Sequence, residues 1–374
     1  MPVQSVTCFV GLVFLALYSW IGMRNFDLQM ANFSQDDGAI FYSLAFEEPA
    51  RYKDSFLFDF PVSQIVSLKM YTSLLIWLPA ILWHHLEVDP YWTTWWLALI
   101  QGLMLVVAIY SLTLTFVGDR MTAILAVVFA CVAIPWGWDP ANYGVRYPWN
   151  FRLYPGFFVL IPILFSIRSL MLRRFTQLFL LLILAMLIHP GLALQVIGLF
   201  GIYWVWNCIR AKSIRDIKFA ILLIVVATMT VLVALTAASS MGGTFLPTDE
   251  LFDGMQKNQH LWPWGYEGRW GISVSTTIEW FIITLLSLRV GSLLTTRVRQ
   301  LWAAGLLAVL LLSLSQVVGA VLGWPWLLNL IGLRSWSWFS LISLPLVMFY
   351  WTQLLRRGRW TSSVFVLLSL LLPF

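Results

Sequence analysis

Long apolar runs separated by short polar segments dominate the pattern of this chain. A helix that spans a bilayer needs roughly 20 apolar residues. Runs that reach or approach this length cover residues 6–23, 92–116, 121–136, 151–170, 176–188, 191–208, 219–237, 272–288, 300–322, 336–354 and 361–374. A further run, 62–86, is interrupted by Lys69, Pro79 and the pair His84 and His85. The pattern predicts an all-α polytopic membrane protein with about 10–11 transmembrane helices.

Composition leads to the same class of protein. The 374 residues are 60% hydrophobic and 11% charged, whereas soluble domains are about half apolar and a quarter charged. So many spans leave no room for a separate soluble domain, and we interpret residues 1–374 as a single transmembrane domain. The polar segments become its predicted outer loops, at 24–91, 137–150, 238–271 and 323–335.

Basic residues fall in alternate loops, which orients the predicted spans. These loops hold 14 of the 23 lysines and arginines but only 2 of the 17 acidic residues, so the positive-inside rule assigns them to the cytoplasm. Their basic residues are Arg120, Arg168, Arg173, Arg174, Arg210, Lys212, Arg215, Lys218, Arg289, Arg297, Arg299, Arg356, Arg357 and Arg359. The start of the chain stays open. Either the N-terminus is cytoplasmic and 62–86 lies along or dips into the outer surface, or the N-terminus is outside and 62–86 spans.

The first predicted outer loop concentrates acidic residues. Six carboxylates fall between residues 32 and 59, namely Asp36, Asp37, Glu47, Glu48, Asp54 and Asp59. Adjacent carboxylates repel each other, which raises the pKa of one of them and suits a general base or a divalent-metal site. Asp36 and Asp37 are therefore candidate catalytic residues and candidate ligands of Mg²⁺ or Mn²⁺; no other cofactor is implied. The alternative is a solvated loop in which Asp36 caps a short amphipathic helix in the interface.

Two outer cations are candidates for binding phosphate. The guanidinium of Arg334 suits a phosphate bidentately, although an arginine at the interface also snorkels to lipid headgroups. His189 precedes Pro190 between two apolar runs. A histidine there can hold a phosphate, or it can hydrogen-bond backbone groups freed where the proline breaks one apolar stretch into two helices.

The outer segment 260–270 combines aromatic faces with charge. It contains the candidate ligand-binding residues His260, Trp262, Trp264 and Arg269. Sixteen of the 22 tryptophans fall on the outer side in this topology and five on the inner side, whereas aromatic belts populate both interfaces. The excess predicts an aromatic cleft for a sugar ring or an isoprenoid chain. Tight packing of the outer loops with an ordinary belt is the alternative.

Several short motifs together resemble a known family. They are Asp36-Asp37-Gly38-Ala39-Ile40-Phe41-Tyr42, then Lys53-Asp54-Ser55-Phe56 before a proline-initiated amphipathic segment, then His189-Pro190, and finally Leu333-Arg334-Ser335-Trp336. In this order they resemble polyprenyl-phosphate-dependent glycosyltransferases of the GT-C superfamily, especially a poorly characterised bacterial branch. The resemblance spans most of the chain.

The resemblance implies an enzyme of the bacterial cell envelope. Such a protein transfers a hexosyl or pentosyl group from a polyprenyl-phosphate donor to an acceptor, with its site facing the periplasm from the inner membrane. Its first-loop acid is the base, and a second acidic position would fall on Asp139. The N-terminus would be cytoplasmic, with juxtamembrane helices in the first outer loop, so 62–86 would not cross. The implied partners are the lipid-linked donor and membrane lipids, not nucleic acid.

Two other functions stay open from the sequence. One is a transporter or flippase of lipid-linked sugars, which should show inverted repeats and broken helices in both leaflets. The other is a non-catalytic subunit of a membrane complex that docks through its acidic loop. The sequence carries no GxxxxGK[ST], HExxH or GxSxG motif, so nucleotide hydrolysis, zinc proteolysis and serine hydrolysis are not leading hypotheses.

Overall fold

The computed structural model of the chain describes residues 74–88, 90–132, 155–212, 217–239, 274–324 and 335–371, together with Leu327 and Gly332. Regular secondary structure in these residues is entirely helical. The helices are α1 (Leu74–Leu86), α2 (Pro90–Val117), α3 (Arg120–Val132), α4 (Pro155–Phe158), α5 (Leu160–Met171), α6 (Phe175–Ile188), α7 (Pro190–Ala211), α8 (Ile217–Ser239), α9 (Val274–Val290), α10 (Thr296–Leu322), α11 (Ser335–Arg356) and α12 (Trp360–Leu371).

Length and apolar composition give the chain its membrane character. Four stretches are long and apolar enough to cross a bilayer, namely Trp95–Val117 in α2 and the helices α7, α10 and α11. Shorter apolar stretches lie in α3, α5, α6, α8 and α9. The chain is therefore an all-α polytopic membrane protein, which confirms the fold class that the apolar pattern predicts.

The helices end where the sequence places residues that stop a helix. Gly118, between α2 and α3, has a φ of 69°, and Gly323, after α10, has a φ of 67°. Glycine adopts this left-handed conformation without steric cost. At its start, α10 is capped by Thr295, whose side chain accepts a hydrogen bond of 3.4 Å from the Val298 N–H. Local chemistry therefore sets these boundaries.

Helix α11 is the centre of the bundle. Nearly all of its side chains from Ser335 to Met348 are buried, and it contacts α2, α3, α5, α9, α10 and α12. Lipid tails are as apolar as leucine, so helices associate in a membrane through close packing and hydrogen bonds. Two indole N–H groups supply such bonds between α10 and α11: Trp302 donates to Ser343 over 3.0 Å, and Trp336 donates to Ser313 over 3.1 Å.

A polar cluster joins the turn between α2 and α3 to the end of α11. Arg356 donates through Nη2 to both carboxylate oxygens of Asp119, at 2.9 and 3.0 Å. Asp119 also accepts a 2.5 Å hydrogen bond from the hydroxyl of Thr122, which lies 2.9 Å from the hydroxyl of Thr352. We call this end of the bundle, which carries Asp119, Arg173, Arg210, Arg297 and Arg356, the basic end.

Helix α1 does not decide between the two topologies predicted for the N-terminal region. Helix α1 has 13 residues and includes Pro79. At 1.5 Å per residue its length is about 20 Å, less than the roughly 30 Å hydrocarbon core. Residues 1–73 lie outside the described residues, and so do the expected juxtamembrane helices of the first outer loop.

Candidate functional site

Most of the predicted site residues lie outside the described part of the chain. These are Asp36, Asp37, Asp139, His260, Trp262, Trp264, Arg269 and Arg334. Their convergence on one pocket therefore stays a prediction, as does a divalent cation at the paired aspartates. Within the described residues, no group of three or more His, Cys, Asp or Glu side chains could hold a metal ion.

His189 is the predicted site residue that the structure describes. It lies alone between α6 and α7 in an extended conformation, with φ −153° and ψ 90°. Its Nδ1 accepts a 3.2 Å hydrogen bond from the Leu192 N–H, and Pro190 occupies the first position of the helix. A side-chain acceptor at the N-cap satisfies a backbone donor that the helix cannot, and proline suits the next position because it has no N–H. The geometry agrees with the interpretation in which His189 satisfies backbone groups at a proline break.

The start of α11 is the second described feature next to a predicted site residue. Ser335 directly follows Arg334, is fully buried, and donates a 2.5 Å hydrogen bond to the carbonyl oxygen of Gly332. Gly332 in turn lies against the backbone of Leu312 in α10, where even a Cβ atom would overlap the carbonyl group. Gly332 and Ser335, which flank the pair Leu333 and Arg334 in sequence, are thus fixed by close contact with the bundle.

A buried hydrogen bond joins the starts of α7 and α11. Trp338 donates from Nε1 to the side-chain oxygen of Gln195 over 3.1 Å. Both side chains are buried, at 0% and 6% exposure. Gln195 lies in the second turn of α7 and Trp338 in the first turn of α11, so the bond ties together the helix beginnings that follow His189 and Arg334.

A separate groove of about 420 Å³ lies at the basic end. Its charged lining residues are Arg173, Arg210 and Arg297, which belong to three different turns, and the aromatic side chains of Tyr203 and Trp204 form part of its wall. Sequence reasoning used the arginines only to orient the chain and missed the groove. The recurrence of Tyr203, Asn207 and Arg210 along one face near the end of α7 is the signal that indicates it.

Comparison with known proteins gives no relative from which a role could be transferred. The chain matches no protein-family model, no curated protein and no solved structure. Function must therefore be argued from the geometry of the two ends of the bundle.

Proposed function

We propose that the protein is a GT-C-type glycosyltransferase that acts at the end of the bundle opposite the basic end. It transfers a sugar from a polyprenyl-phosphate donor to an acceptor at the outer face of a bacterial inner membrane. The proposal rests on the motifs that contain Asp36, Asp37 and Arg334, and on the packing around the helix starts that follow His189 and Arg334.

The hydrogen bond between Trp338 and Gln195 is the observation that carries this proposal. It links the second turn of α7 to the first turn of α11 in the buried interior. His189 immediately precedes α7 and Arg334 immediately precedes α11. The two candidate phosphate-binding residues thus precede, in sequence, two helices that a buried hydrogen bond links, and links of this kind help to hold a binding site to a productive geometry.

The chemistry needs only a base and a phosphate clamp. A carboxylate, Asp36 or Asp37, takes the proton from the acceptor hydroxyl as its oxygen bonds to the anomeric carbon of the sugar. The bond between that carbon and the phosphate oxygen breaks, and the polyprenyl phosphate leaves with the bonding electrons. Arg334 stabilises the charge on the leaving phosphate, with Arg269 and His260 as further candidates.

His189 fits a supporting role in the clamp. With Nδ1 accepting from the Leu192 N–H, the proton of a neutral imidazole is on Nε2, because the neutral ring has one donor and one acceptor nitrogen. The ring therefore caps α7 with one nitrogen and carries its N–H on the other. A phosphate oxygen is a suitable acceptor for that donor.

A direct transfer assay tests the proposal. The protein is purified in lipid nanodiscs and supplied with a panel of radiolabelled polyprenyl-phosphate sugars and candidate acceptors. We expect transfer by the wild type, a loss of at least about a hundredfold in Asp36→Asn or Asp37→Asn because general-base catalysis contributes roughly 10²–10⁴-fold, and a loss in Arg334→Gln. Arg357→Gln, at the basic end, serves as the matched control. A parallel reaction with a chelator tests the predicted divalent cation.

The same material separates the proposal from its rivals. Transfer that survives both aspartate substitutions would remove the proposed base. If no donor is turned over, proteoliposomes with a fluorescent lipid-linked sugar on one leaflet test the transporter hypothesis. Movement of the label without transfer would replace the proposed enzyme by a flippase, and neither activity would favour a non-catalytic subunit.

A further inference from the structure

The groove at the basic end is assembled from five helix ends. Leu170 belongs to the end of α5 and Arg173 to the turn after it, Phe175 begins α6, and Phe219 lies in the first turn of α8. The end of α7 and the start of α10 complete the lining. Its volume of about 420 Å³ lies within the range of roughly 300–1,000 Å³ that is typical of small-ligand sites. Five elements that are distant in sequence thus form one concave surface.

The described lining of the groove carries positive charge without a counter-charge. Arg173, Arg210 and Arg297 line it, and no carboxylate does. In the described part of the chain, these three guanidinium groups make no ion pair or hydrogen bond. Asp119, which lies in the turn between α2 and α3, is paired with Arg356 and does not line the groove. Three converging cations in a concave site favour an anionic ligand.

Neutral polar side chains add hydrogen-bonding capacity next to the arginines. Gln300 is buried in the wall one turn beyond Arg297 on α10, so the two share a face of the helix. On α7, Asn207 shares a face with Arg210, and its amide nitrogen donates to the Tyr203 carbonyl over 2.8 Å. The groove therefore offers amide and guanidinium N–H groups, the donors that bind phosphate oxygens.

Helix ends reinforce this preference. Helices α6, α8 and α10 begin at the groove, and the partial positive charge at a helix N-terminus attracts anions. Helices α5 and α7 end there, and their negative ends are offset by Arg173 and Arg210. The formal charges at the described lining are therefore all positive.

Left-handed backbone occurs at Arg173, which lines the groove, and at Lys212, which follows the lining residue Ala211 in sequence. Arg173 has a φ of 57° and Lys212 a φ of 49°, both in the left-handed region. Glycine is the usual residue where a helix ends in this conformation, and other residues pay a steric cost. Cationic side chains at these two positions recover part of that cost from the helix C-terminus. Strained positions of this kind are concentrated at binding sites.

We propose that the groove binds the phosphate group of an anionic lipid in the leaflet at the basic end, which the positive-inside rule assigns to the cytoplasmic side. The three arginines contact the phosphate, and the aromatic wall packs against the lipid backbone. This inference does not depend on the proposed glycosyltransferase activity, because that site lies at the opposite end of the bundle.

The surroundings of the groove favour a lipid over a water-soluble phosphate. The same stretch of α7 that lines the groove also exposes Val205, Trp206 and Ile209, the last at 73%. Exposed apolar and tryptophan side chains at a helix end are typical of the bilayer interface. Basic pockets between transmembrane helices on the cytoplasmic side are suited to anionic lipid headgroups.

Native mass spectrometry of the protein in detergent micelles tests the proposal. Wild type is titrated with phosphatidylglycerol and with zwitterionic phosphatidylcholine. The variant R173Q/R210Q/R297Q removes the three arginines that line the groove. The control variant R120Q/R357Q/R359Q removes three exposed arginines of the basic end that do not line it. We expect the wild type and the second variant to bind phosphatidylglycerol equally and in preference to phosphatidylcholine. The groove variant should bind it at least about tenfold more weakly, since each basic residue at a membrane surface is worth roughly fivefold in affinity.

Further arms address folding and the source of the phosphate. Arg173→Gly relieves the left-handed strain, so it should leave the melting temperature unchanged or higher while still weakening phosphatidylglycerol binding. A large excess of inorganic phosphate should not displace the lipid. Equal loss in both triple variants, or equal binding of the two lipids by the wild type, would show diffuse surface charge and overturn the proposal. Displacement by inorganic phosphate would overturn the lipid assignment.

Discussion

Asp119 shows how burial and hydrogen bonding compete at one residue. Burial raises the pKa of this carboxyl, but hydrogen bonds from Thr122 and Arg356 and the charge of Arg356 lower it, and the lowering prevails. Carboxylates in unfolded chains have a pKa near 3.9. The folded protein therefore binds this proton less readily than the unfolded chain, and the cluster contributes stability above about pH 4.

Acidification should remove that contribution. As the pH falls through the folded pKa of Asp119, its ion pair with Arg356 is lost. At neutral pH Asp119→Asn should unfold more readily by about 0.5–1 kcal/mol, a modest figure because the Arg356 side chain is 50% exposed and solvent screens such pairs. The difference should shrink below about pH 4. Thermal unfolding in detergent across this pH range measures it, with Arg357→Gln as the control. Equal stability of Asp119→Asn and wild type at neutral pH would contradict the prediction.

His189 allows its capping role to be separated from any role in binding phosphate. Asparagine is a good N-cap residue but lacks the imidazole. His189→Ala should destabilise the protein by about 1 kcal/mol because the Leu192 N–H loses its acceptor, whereas His189→Asn should retain most of the stability. Both should lower transfer activity if the imidazole contacts the phosphate. Melting temperatures and the transfer assay on the two variants decide this; full activity in His189→Asn would limit the residue to capping.

At the scale of elements, the contact between Gly332 and α10 fixes the approach to α11. A methyl group at Gly332 would overlap the carbonyl of Leu312, a main-chain atom that cannot rotate away. Gly332→Ala should therefore lower the free energy of unfolding by about 1–3 kcal/mol. Gly198, in the interior of α7, is the matched control because a Cβ atom added there would have no neighbour within 4 Å. Gly198→Ala should be neutral or stabilising by roughly 0.5–1 kcal/mol. Similar melting temperatures for both variants would show that the chain before α11 adapts freely.

The helix boundaries could be predicted closely because the apolar runs, and the charged residues, glycines and prolines beside them, indicate where helices start and stop. The run 176–188 corresponds to Phe175–Ile188, and the run 336–354 corresponds to Ser335–Arg356. Each run is flanked within two residues by charged residues or proline, which also favour helix ends physically. Hydropathy alone does not indicate which helix lies at the centre. That position belongs to α11, whose serines and tryptophans bond to its neighbours across distances of 23 to 143 residues in sequence.

The groove shows what a single sequence conceals. Arg173, Arg210 and Arg297 belong to different turns, and arginines in alternate loops are expected in any polytopic protein because they set its orientation. Orientation and ligand binding therefore leave the same signal in the sequence. Only the packing of α5, α7 and α10 brings the three side chains to one surface.

On the scale of the whole molecule, the two ends of the bundle differ in chemistry. The basic end combines the ion pair of Arg356 with the arginine-lined groove. The opposite end carries the helix starts joined by Trp338 and Gln195. Four of the described helices are long and apolar enough to cross a bilayer. The protein can therefore bind one ligand at each membrane surface, with no side chain common to the two sites.

Sidedness can therefore be measured directly. In a background with Cys8, Cys131 and Cys208 replaced, single cysteines are placed at Arg357 in the basic end and at Trp324 after α10; both native side chains are exposed. The positive-inside rule predicts that a membrane-impermeant maleimide labels Trp324→Cys in intact spheroplasts, while Arg357→Cys reacts only after permeabilisation. Labelling with the opposite sidedness would place the basic groove outside the cell. The leaflets assigned to the proposed phosphate-binding and glycosyl-transfer sites would then be exchanged, because the helices fix the two ends relative to each other.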